Sequence, residues 1–408
     1  LGNQMQGERN ALGYIASLTY SDKVENQPAR YFKFLLDPSG NASRGYVYNE
    51  RRASVDWGAV FNLAGRLGTN HKFGLKNLYT RNADEQYTTN EGFNIDLNGD
   101  VRGYGFSYLS RDLWQVQLTG EHLGKLWRPW RLEWKGTQSL SHRDEPDNRQ
   151  VTYIRSGSEP VFELGNNSDL WFRYLNDRLT GGQADLSVPF PWFGSRELQV
   201  KAGGAMRKKV REFDASLATF NLNNQSGLPN DIYTLPPHRL FTPDLIGDHL
   251  VLGFPGSVAQ PYSADDQVVA YYGMLDVPIF SWLRVVGGMR VETWSLDLYD
   301  GGRARFAGDS TLAPTSRRHT DPLWSANATI TLGSNMNVRL AGFRSVARPD
   351  TREMSRDEYT DLVGACPTVG NPALQRTTIT NADARFEWYP GPGEIFSVSG
   401  FFKYFEQP

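Results

Sequence analysis

Residues 54–79 read SVDWGAVFNLAGRLGTNHKFGLKNLY, and this stretch decides the fold class. Apolar side chains recur at every second position from Val55 to Leu63, and a polar residue such as Asp56 stands between them. A short link, Gly68–His71, then leads into a second alternating run. Because successive side chains of a β-strand point to opposite faces, the stretch predicts two strands of a hairpin, each with one apolar face.

The same unit repeats along the chain, and its connections alternate in length. About thirteen alternating runs are recognisable; short turns follow the even-numbered runs and long polar links follow the odd-numbered ones. The run Trp324–Leu332, for example, ends at Gly333–Asn335, whose Gly and Asn suit a tight turn. The run Tyr46–Leu67 also exceeds the ~9–11 residues that a strand needs to cross a bilayer. These features predict an all-β fold, a transmembrane up-and-down antiparallel β-barrel.

The whole chain, 1–408, is expected to be one partial outer-membrane β-barrel domain with short periplasmic turns and long extracellular loops. The chain begins at Leu1 without a signal segment and ends at Pro408 just after a strand-like run, so we expect an internal piece of a longer exported protein. The predicted extracellular loops lie near residues 21–43, 89–100, 145–168, 215–265, 300–322 and 347–377.

Composition restricts the class of protein. The net charge of −2 argues against a nucleic-acid partner, since proteins that bind nucleic acid usually carry an excess of basic residues. A mean hydropathy of −0.51 is ordinary for soluble proteins and equally for barrels, whose strands have one polar face. Eleven Trp and an aromatic share of 13% suit interfacial girdles. The sequence lacks any apolar run near the ~18 residues of a transmembrane helix, which excludes that class.

The sequence carries no recognisable catalytic or metal-binding motif. Its six His do not stand at ligand spacing, and Cys366 is the single cysteine, which excludes an internal disulfide. Asp96–Asp100 resembles the opening of a calcium loop, but Val101 and Phe106 stand where an EF-hand needs Gly and Glu. We therefore interpret Asn98-Gly99 as a turn and expect no enzyme activity, no metal and no cofactor.

Two groups of residues are candidates for ligand contact. Charged residues on strands with an apolar opposite face are expected to face the barrel lumen, where they line a wet interior or contact a plug or a substrate; they are Arg207, Arg284, Arg290, Arg339, Asp383, Arg385 and Glu387. Aromatic side chains and one histidine in the long loops could offer stacking surfaces for a substrate or simply pack within the loops; they are Tyr233, His238, Phe241, Tyr262 and Tyr359.

An ordered series of motifs then resembles a known family. In the later barrel strands of TonB-dependent outer-membrane receptors, an Arg-Pro pair ends a strand, a Gly-Asn-Pro closes the next loop, and an Asn-x-Asp strand ends in Tyr-Pro. Two N-terminal segments are similar to the first and third barrel strands of these receptors. The matching segments are Ser345–Glu353, Gly370–Leu374, Asn381–Pro390, Phe401–Pro408, Leu12–Tyr20 and Leu78–Asp84.

The resemblance implies a 22-stranded barrel, of which about thirteen strands are in this sequence, occluded by a plug domain outside it. It fits best the receptors that carry a carboxypeptidase-regulatory-like domain before the plug. Such receptors import a scarce ligand across the outer membrane with energy relayed by the TonB complex. The implied partners are outer-membrane lipid, the protein's own plug, the TonB energy-coupling complex, and a surface lipoprotein or other envelope partner.

Other functions remain open at this point. A passive outer-membrane porin would share the strand pattern, as would a barrel that serves as the structural component of an outer-membrane assembly. A soluble secreted β-rich enzyme or lectin would share only the alternation. A siderophore, a vitamin, an oligosaccharide and a peptide all remain candidate ligands, because loop sequences carry no readable code for specificity.

Overall fold

The structure is a computed structural model, and its described residues are 1–36, 42–156, 161–165, 168–194, 196–223, 231–254, 261–301, 314–356, 358–359 and 368–406. Cys366 lies outside them. The strands are β1 (Gly2–Gln6), β2 (Ala11–Leu36), β3 (Ala42–Leu67), β4 (His71–Asn94), β5 (Gly99–Lys125), β6 (Pro129–Ser156), β7 (Glu163–Leu164), β8 (Asp169–Pro191), β9 (Glu197–Leu222), β10 (Leu250–Gly253), β11 (Tyr262–Phe280), β12 (Leu283–Asp300), β13 (Thr315–Leu332), β14 (Met336–Ala347), β15 (Glu358–Tyr359), β16 (Thr368–Val369), β17 (Thr377–Trp388) and β18 (Phe396–Glu406).

Helical structure in the described residues is limited to single turns. They are α1 (Pro237–Leu240), α2 (Thr351–Met354) and the 3-10 turns Ile95–Leu97 and Ile232–Thr234. Across those same stretches of chain, no helix has the length and apolar character to cross a membrane.

One 16-stranded antiparallel sheet contains nearly all the strands. Its path runs β1–β6, β8, β9, β11–β14, β17 and β18, so each long strand pairs with its neighbours in sequence; β7 adds to β6, β10 adds to β9, and β15 pairs with β16. The thirteen predicted strands are all present, and the predicted all-β up-and-down antiparallel fold is confirmed. β1 is an additional strand that the sequence pattern did not indicate.

The first predicted loop, 21–43, is wrong in its extent. β2 continues to Leu36 and β3 begins at Ala42, so most of this stretch is paired strand. Its polar sequence and Pro28 had indicated a loop. A strand whose two faces are both in water can be polar throughout, and the register shift between Gln27 and Tyr31 accommodates the proline.

The other long links are also shorter than predicted, for the same reason. The loop predicted at 89–100 is in fact limited to residues 95–98, between β4 and β5. In this link Asn98 adopts a left-handed conformation with φ of 48° before Gly99. This geometry confirms the turn interpretation of Asn98-Gly99. In the other predicted loops, strands also extend into the predicted range: β6 ends at Ser156, β9 ends at Leu222, β11 begins at Tyr262, β12 ends at Asp300 and β13 begins at Thr315.

The strand registers divide the sheet into an apolar face and a polar face. Leu75 lies directly opposite both Leu63 and Leu118, while the neighbouring Gln117 lies opposite Thr137. Cross-strand partners share a face, so rows of apolar residues alternate with rows of polar ones. Leu118 leaves 50% of its surface exposed on this sheet, which is the pattern of a surface that meets an apolar medium.

Aromatic side chains border the apolar stretch at both ends. Beside the short turns, the Phe73 and His122 rings lie 5.3 Å apart, and the Phe280 and Trp282 rings also lie 5.3 Å apart. Farther along the strands, the Trp57 and Tyr79 rings lie 4.8 Å apart. Two aromatic rows that flank an apolar band are typical of the interfacial girdles of membrane barrels.

A charge placed on the apolar face tests whether that face meets lipid. We expect Leu118→Lys to lower the free energy of unfolding in lipid vesicles by about 2–4 kcal/mol, since a lysine on the lipid face loses its hydration near the bilayer midplane. Gln115→Lys, on the polar face of the same strand, should change it by less than about 0.5 kcal/mol. Urea titration of the vesicle-embedded protein measures both, and equal effects would contradict the assignment of the faces.

Candidate functional site

The polar face gathers the charged residues predicted to face the lumen. The strand registers place all seven on this one face: Arg207, Arg284, Arg290, Arg339, Asp383, Arg385 and Glu387. They lie on four strands, so the structure brings them to a common surface and not to a single point. That this surface lines a lumen stays a prediction.

Most of these charges neutralise one another or a near neighbour. Arg207 Nη2 lies 3.1 Å from Asp266 Oδ2, and Arg284 Nε donates to Asp276 Oδ1 at 2.7 Å. Glu387 accepts from two arginines through its two oxygens: Arg339 and Arg385 each place Nε 2.9 Å away. Since each carboxylate is only slightly exposed, these pairs line the polar face with fixed, hydrogen-bonded charge.

The described residues between β14 and β17, which are 348–356, 358–359 and 368–376, include stretches that fold back over this polar face, and we call residues 348–356 and 368–376 the inward segment. Its two ends meet at Asp321 of β13: Arg348 Nη2 lies 3.5 Å from Oδ2, and Arg376 Nη2 lies 3.0 Å from Oδ1. The Asp321 side chain is 3% exposed, and Arg348 also donates to Glu292 Oε2 at 2.8 Å. One buried carboxylate therefore fixes both ends of the segment.

A second anchor lies farther into the segment. Asp350 caps α2 by accepting from the Arg352 N–H at 3.0 Å, and Glu353 completes a capping box with the Asp350 N–H. The same Asp350 lies 3.0 Å from Nη1 of Arg211 on β9, while Asp177 accepts two hydrogen bonds from Arg211 at 2.7 and 2.8 Å. The segment therefore crosses from β14 to β9.

An apolar cluster lies where α2 meets the sheet. Met354 is fully buried there, among residues on the polar face of β9, β11 and β12 such as Phe213, Tyr262, Trp294 and Leu296. Fully burying a side chain of this size stabilises the segment by roughly 1.5–3 kcal/mol. Apolar packing thus adds to the two charged anchors.

The Gly-Asn-Pro motif closes this segment against α2. A Cβ on Gly370 would lie 2.1 Å from the Ser355 carbonyl oxygen, so only glycine permits the approach. The Asn371 N–H donates to the Glu353 carbonyl at 2.6 Å, and the Pro372 carbonyl accepts from Arg317 of β13 at 2.7 Å. The motif returns the chain to the sheet.

The described residues of the 223–261 connection pack on β5, β6, β8 and β9, at the strand ends that are farthest from the short turns. Ile232, Leu240 and Leu250 are buried against residues such as Val151 and Phe220. The Tyr153 hydroxyl donates to the Leu235 carbonyl at 2.6 Å. Much of this predicted loop is therefore an ordered cover, with its own apolar core.

The five predicted stacking residues do not form one surface. Tyr233 and Phe241 pack partly buried on the 223–261 cover, and the Phe241 ring lies 4.6 Å from that of Phe220. His238 is exposed on α1. The backbone of Tyr359 pairs in β15, and its side chain lies outside the described residues.

Tyr262 lies in a strand and not in the long loop 215–265, where the sequence predicts it. Tyr262 begins β11, opposite both Phe213 and Asp300, and its side chain is 3% exposed. Pairing of β11 with β9 and β12 continues beyond the first alternating residue that the sequence pattern indicated, Val268, and carries Tyr262 into the cluster around Met354.

Sequence reasoning missed the residues that anchor the inward segment. Arg348 was visible in a motif, but Asp321, Glu292 and Arg211 carry no local signal, since their roles come from strands that are distant in sequence. A buried acidic residue flanked by alternation, such as Asp321 between His319 and Leu323 on the polar face, is the one available clue.

A metal centre receives no support in the stretches that the structure describes, where no group of three or more His, Cys, Asp or Glu is arranged to hold an ion. The nearest arrangement is a histidine pair beside the short turns, where His71 Nδ1 and His122 Nδ1 lie 3.0 Å apart. Trp134 donates to the other ring nitrogen of His122 at 2.9 Å, which occupies that nitrogen.

Loss of the Asp321 charge should release the inward segment. Asp321→Asn leaves Arg348 and Arg376 without their shared buried counterion, so we expect the free energy of unfolding to fall by about 3–5 kcal/mol. Limited proteolysis within residues 348–376 should become faster. Asp383→Asn on the same face is the control and should leave the proteolysis rate unchanged; equal cleavage in both variants would contradict the anchor.

Asp169 gives a prediction about pH. Burial raises the pKa of this carboxyl from 3.8 to about 6, and the Trp171 hydrogen bond and the Arg173 charge offset only part of the effect. The folded state therefore carries a penalty for ionising Asp169 that is absent below pH 3.8 and complete above pH 6.

Removing that ionisation should stabilise the fold at neutral pH. We expect Asp169→Asn to raise the free energy of unfolding by about 3 kcal/mol at pH 7.5, and to have no such effect at pH 3.5. Denaturant titration at both pH values measures this. The control Asp244→Asn, on an exposed residue of the 223–261 cover, should show no pH-dependent gain; a gain for Asp169→Asn that does not depend on pH would contradict burial as the cause.

No curated protein matches the sequence. Three solved structures are similar: the ferric yersiniabactin uptake receptor FyuA from Yersinia pestis (9% identity, TM-score 0.40, covering 89% of this chain and 54% of that one), the ferric citrate transporter FecA in its unliganded form (12%, 0.46, 95% and 51%) and the copper transporter OprC (11%, 0.44, 96% and 53%).

The chain spans about half the length of each of these three structures. The family described as TonB dependent receptor-like, beta-barrel, matches residues 8–407, which is nearly the whole chain. The two-faced antiparallel sheet with its aromatic rows agrees with that description. The chain therefore belongs to the TonB-dependent receptor β-barrel family.

Proposed function

We propose that this chain forms the barrel wall of a TonB-dependent outer-membrane receptor that imports a scarce ligand. The observation that carries the proposal is the family match over residues 8–407 on a sheet with one apolar and one charged face. In this role the apolar face contacts lipid, the short turns lie in the periplasm and the long links lie outside the cell. A plug domain and the TonB complex are its partners.

The inward segment favours a receptor over an open porin. Residues 348–356 and 368–376 are fixed across the polar face by Asp321, Arg211 and the burial of Met354. A passive pore keeps a continuous water-filled channel, whereas a receptor that captures and releases a ligand needs side chains that reach into its lumen.

Two measurements separate these functions. We expect the purified full-length protein to show little steady conductance in planar bilayers. We also expect cells that express it to deplete a specific compound from the growth medium, as measured by mass spectrometry, only while the inner membrane is energised. A deletion strain and protonophore-treated cells are the controls.

The opposite result would contradict the proposal. Steady single-channel conductance, together with depletion that continues after protonophore treatment, would identify a passive pore. Association with a stoichiometric surface partner, without energy-dependent uptake of any compound, would instead identify a structural component of an outer-membrane assembly.

A further inference from the structure

A cavity of about 360 Å³ lies on the polar face, and Arg348 at the start of the inward segment forms part of its wall. Its floor comes from small or apolar residues on adjacent strands, including Gly181 of β8, Ala205 of β9 and Val268 of β11. The registers put Gly181 opposite Arg207, and Arg207 opposite Val268, so the floor is one continuous patch of sheet. Volumes of about 300–1,000 Å³ are typical of small-molecule sites.

The charges around this cavity do not balance. Four cations line it, namely Lys135, Arg207, Arg290 and Arg348, but only one carboxylate does, Glu292. The ion-pair partners of these groups add two carboxylates, Asp266 and Asp321, and one further cation, Arg376. The local excess is therefore two positive charges.

Shared carboxylates explain how the excess arises. Glu292 gives one oxygen to Arg290 at 2.7 Å and the other to Arg348 at 2.8 Å, so two guanidinium groups divide one negative charge. The acidic residues beside Lys135 in the strand register, Glu133 and Asp185, pair with Arg131 and Lys201 instead. Donors and positive charge remain available for an anion.

We propose that this cavity binds an anionic group, a carboxylate, phosphate or sulfate, carried by the imported ligand. The proposal rests on the proposed function, since it names a chemical class for the same ligand. Guanidinium groups suit such anions because their planar forks donate paired hydrogen bonds. The small floor residues leave room for the anion among the lining cations Arg207, Arg290 and Arg348.

Titration of inorganic phosphate into the purified full-length protein, followed by ³¹P NMR line broadening, tests the proposal. We expect saturable binding that weakens at least about tenfold in the double variant Arg207→Gln/Arg290→Gln, because two charge-assisted contacts are lost. Arg207→Lys/Arg290→Lys keeps both charges and should retain more of the binding. Arg284→Gln, a cation on the same face outside the cavity and paired with Asp276, should bind phosphate as the unchanged protein does.

Two outcomes would overturn the proposal: no saturable phosphate binding by the unchanged protein, or equal weakening in Arg284→Gln, which would indicate a diffuse surface field. Thermal unfolding of each variant confirms that the fold is retained. The binding measurement does not depend on transport. A protein that binds phosphate in this manner but shows no energised uptake would contradict the proposed function and leave the anion site standing.

Discussion

The constraint on which the structure depends is the register of its antiparallel strands. Each long strand pairs with its sequence neighbours, and the register stays constant over most of each pair. Because side chains alternate with period two, a slip of one residue would move every apolar side chain of a strand to the polar face. In a bilayer the same pairing also satisfies the backbone N–H and C=O groups, which lipid cannot do.

This register separates the sheet into two surfaces with different roles. The apolar face carries the leucines and the two aromatic rows, and it needs no specific chemistry beyond contact with lipid. The polar face carries fixed ion pairs, and it holds the inward segment through Asp321 and Arg211. A slip in β13 would turn Asp321 away from Arg348 and Arg376, so the position of the segment depends on the same register as the membrane surface.

How much of the structure the sequence predicts depends on how far apart along the chain the interacting residues are. Alternation and turn composition are local, so all thirteen strands and the turn at Asn98-Gly99 could be read directly. The bounds of the long links could not be predicted in this way, because the part of β2 around Pro28 is as polar in sequence as a loop. The common face of residues such as Arg207 and Glu387 followed from alternation. The anchoring role of Asp321 depends on segments 27 and 55 residues away, to Arg348 and Arg376, which no local pattern encodes.

The most direct test of the two-faced wall is the accessibility of successive residues of β5 in lipid vesicles. Spin labels placed singly at residues 113–119, with Cys366 replaced by serine, can be probed with oxygen, which partitions into lipid, and with a water-soluble nickel complex. We expect the accessibility to alternate: oxygen reaches Trp114, Val116 and Leu118 best, and nickel reaches Gln115, Gln117 and Thr119 best. Uniform accessibility, or alternation in the opposite phase, would contradict it.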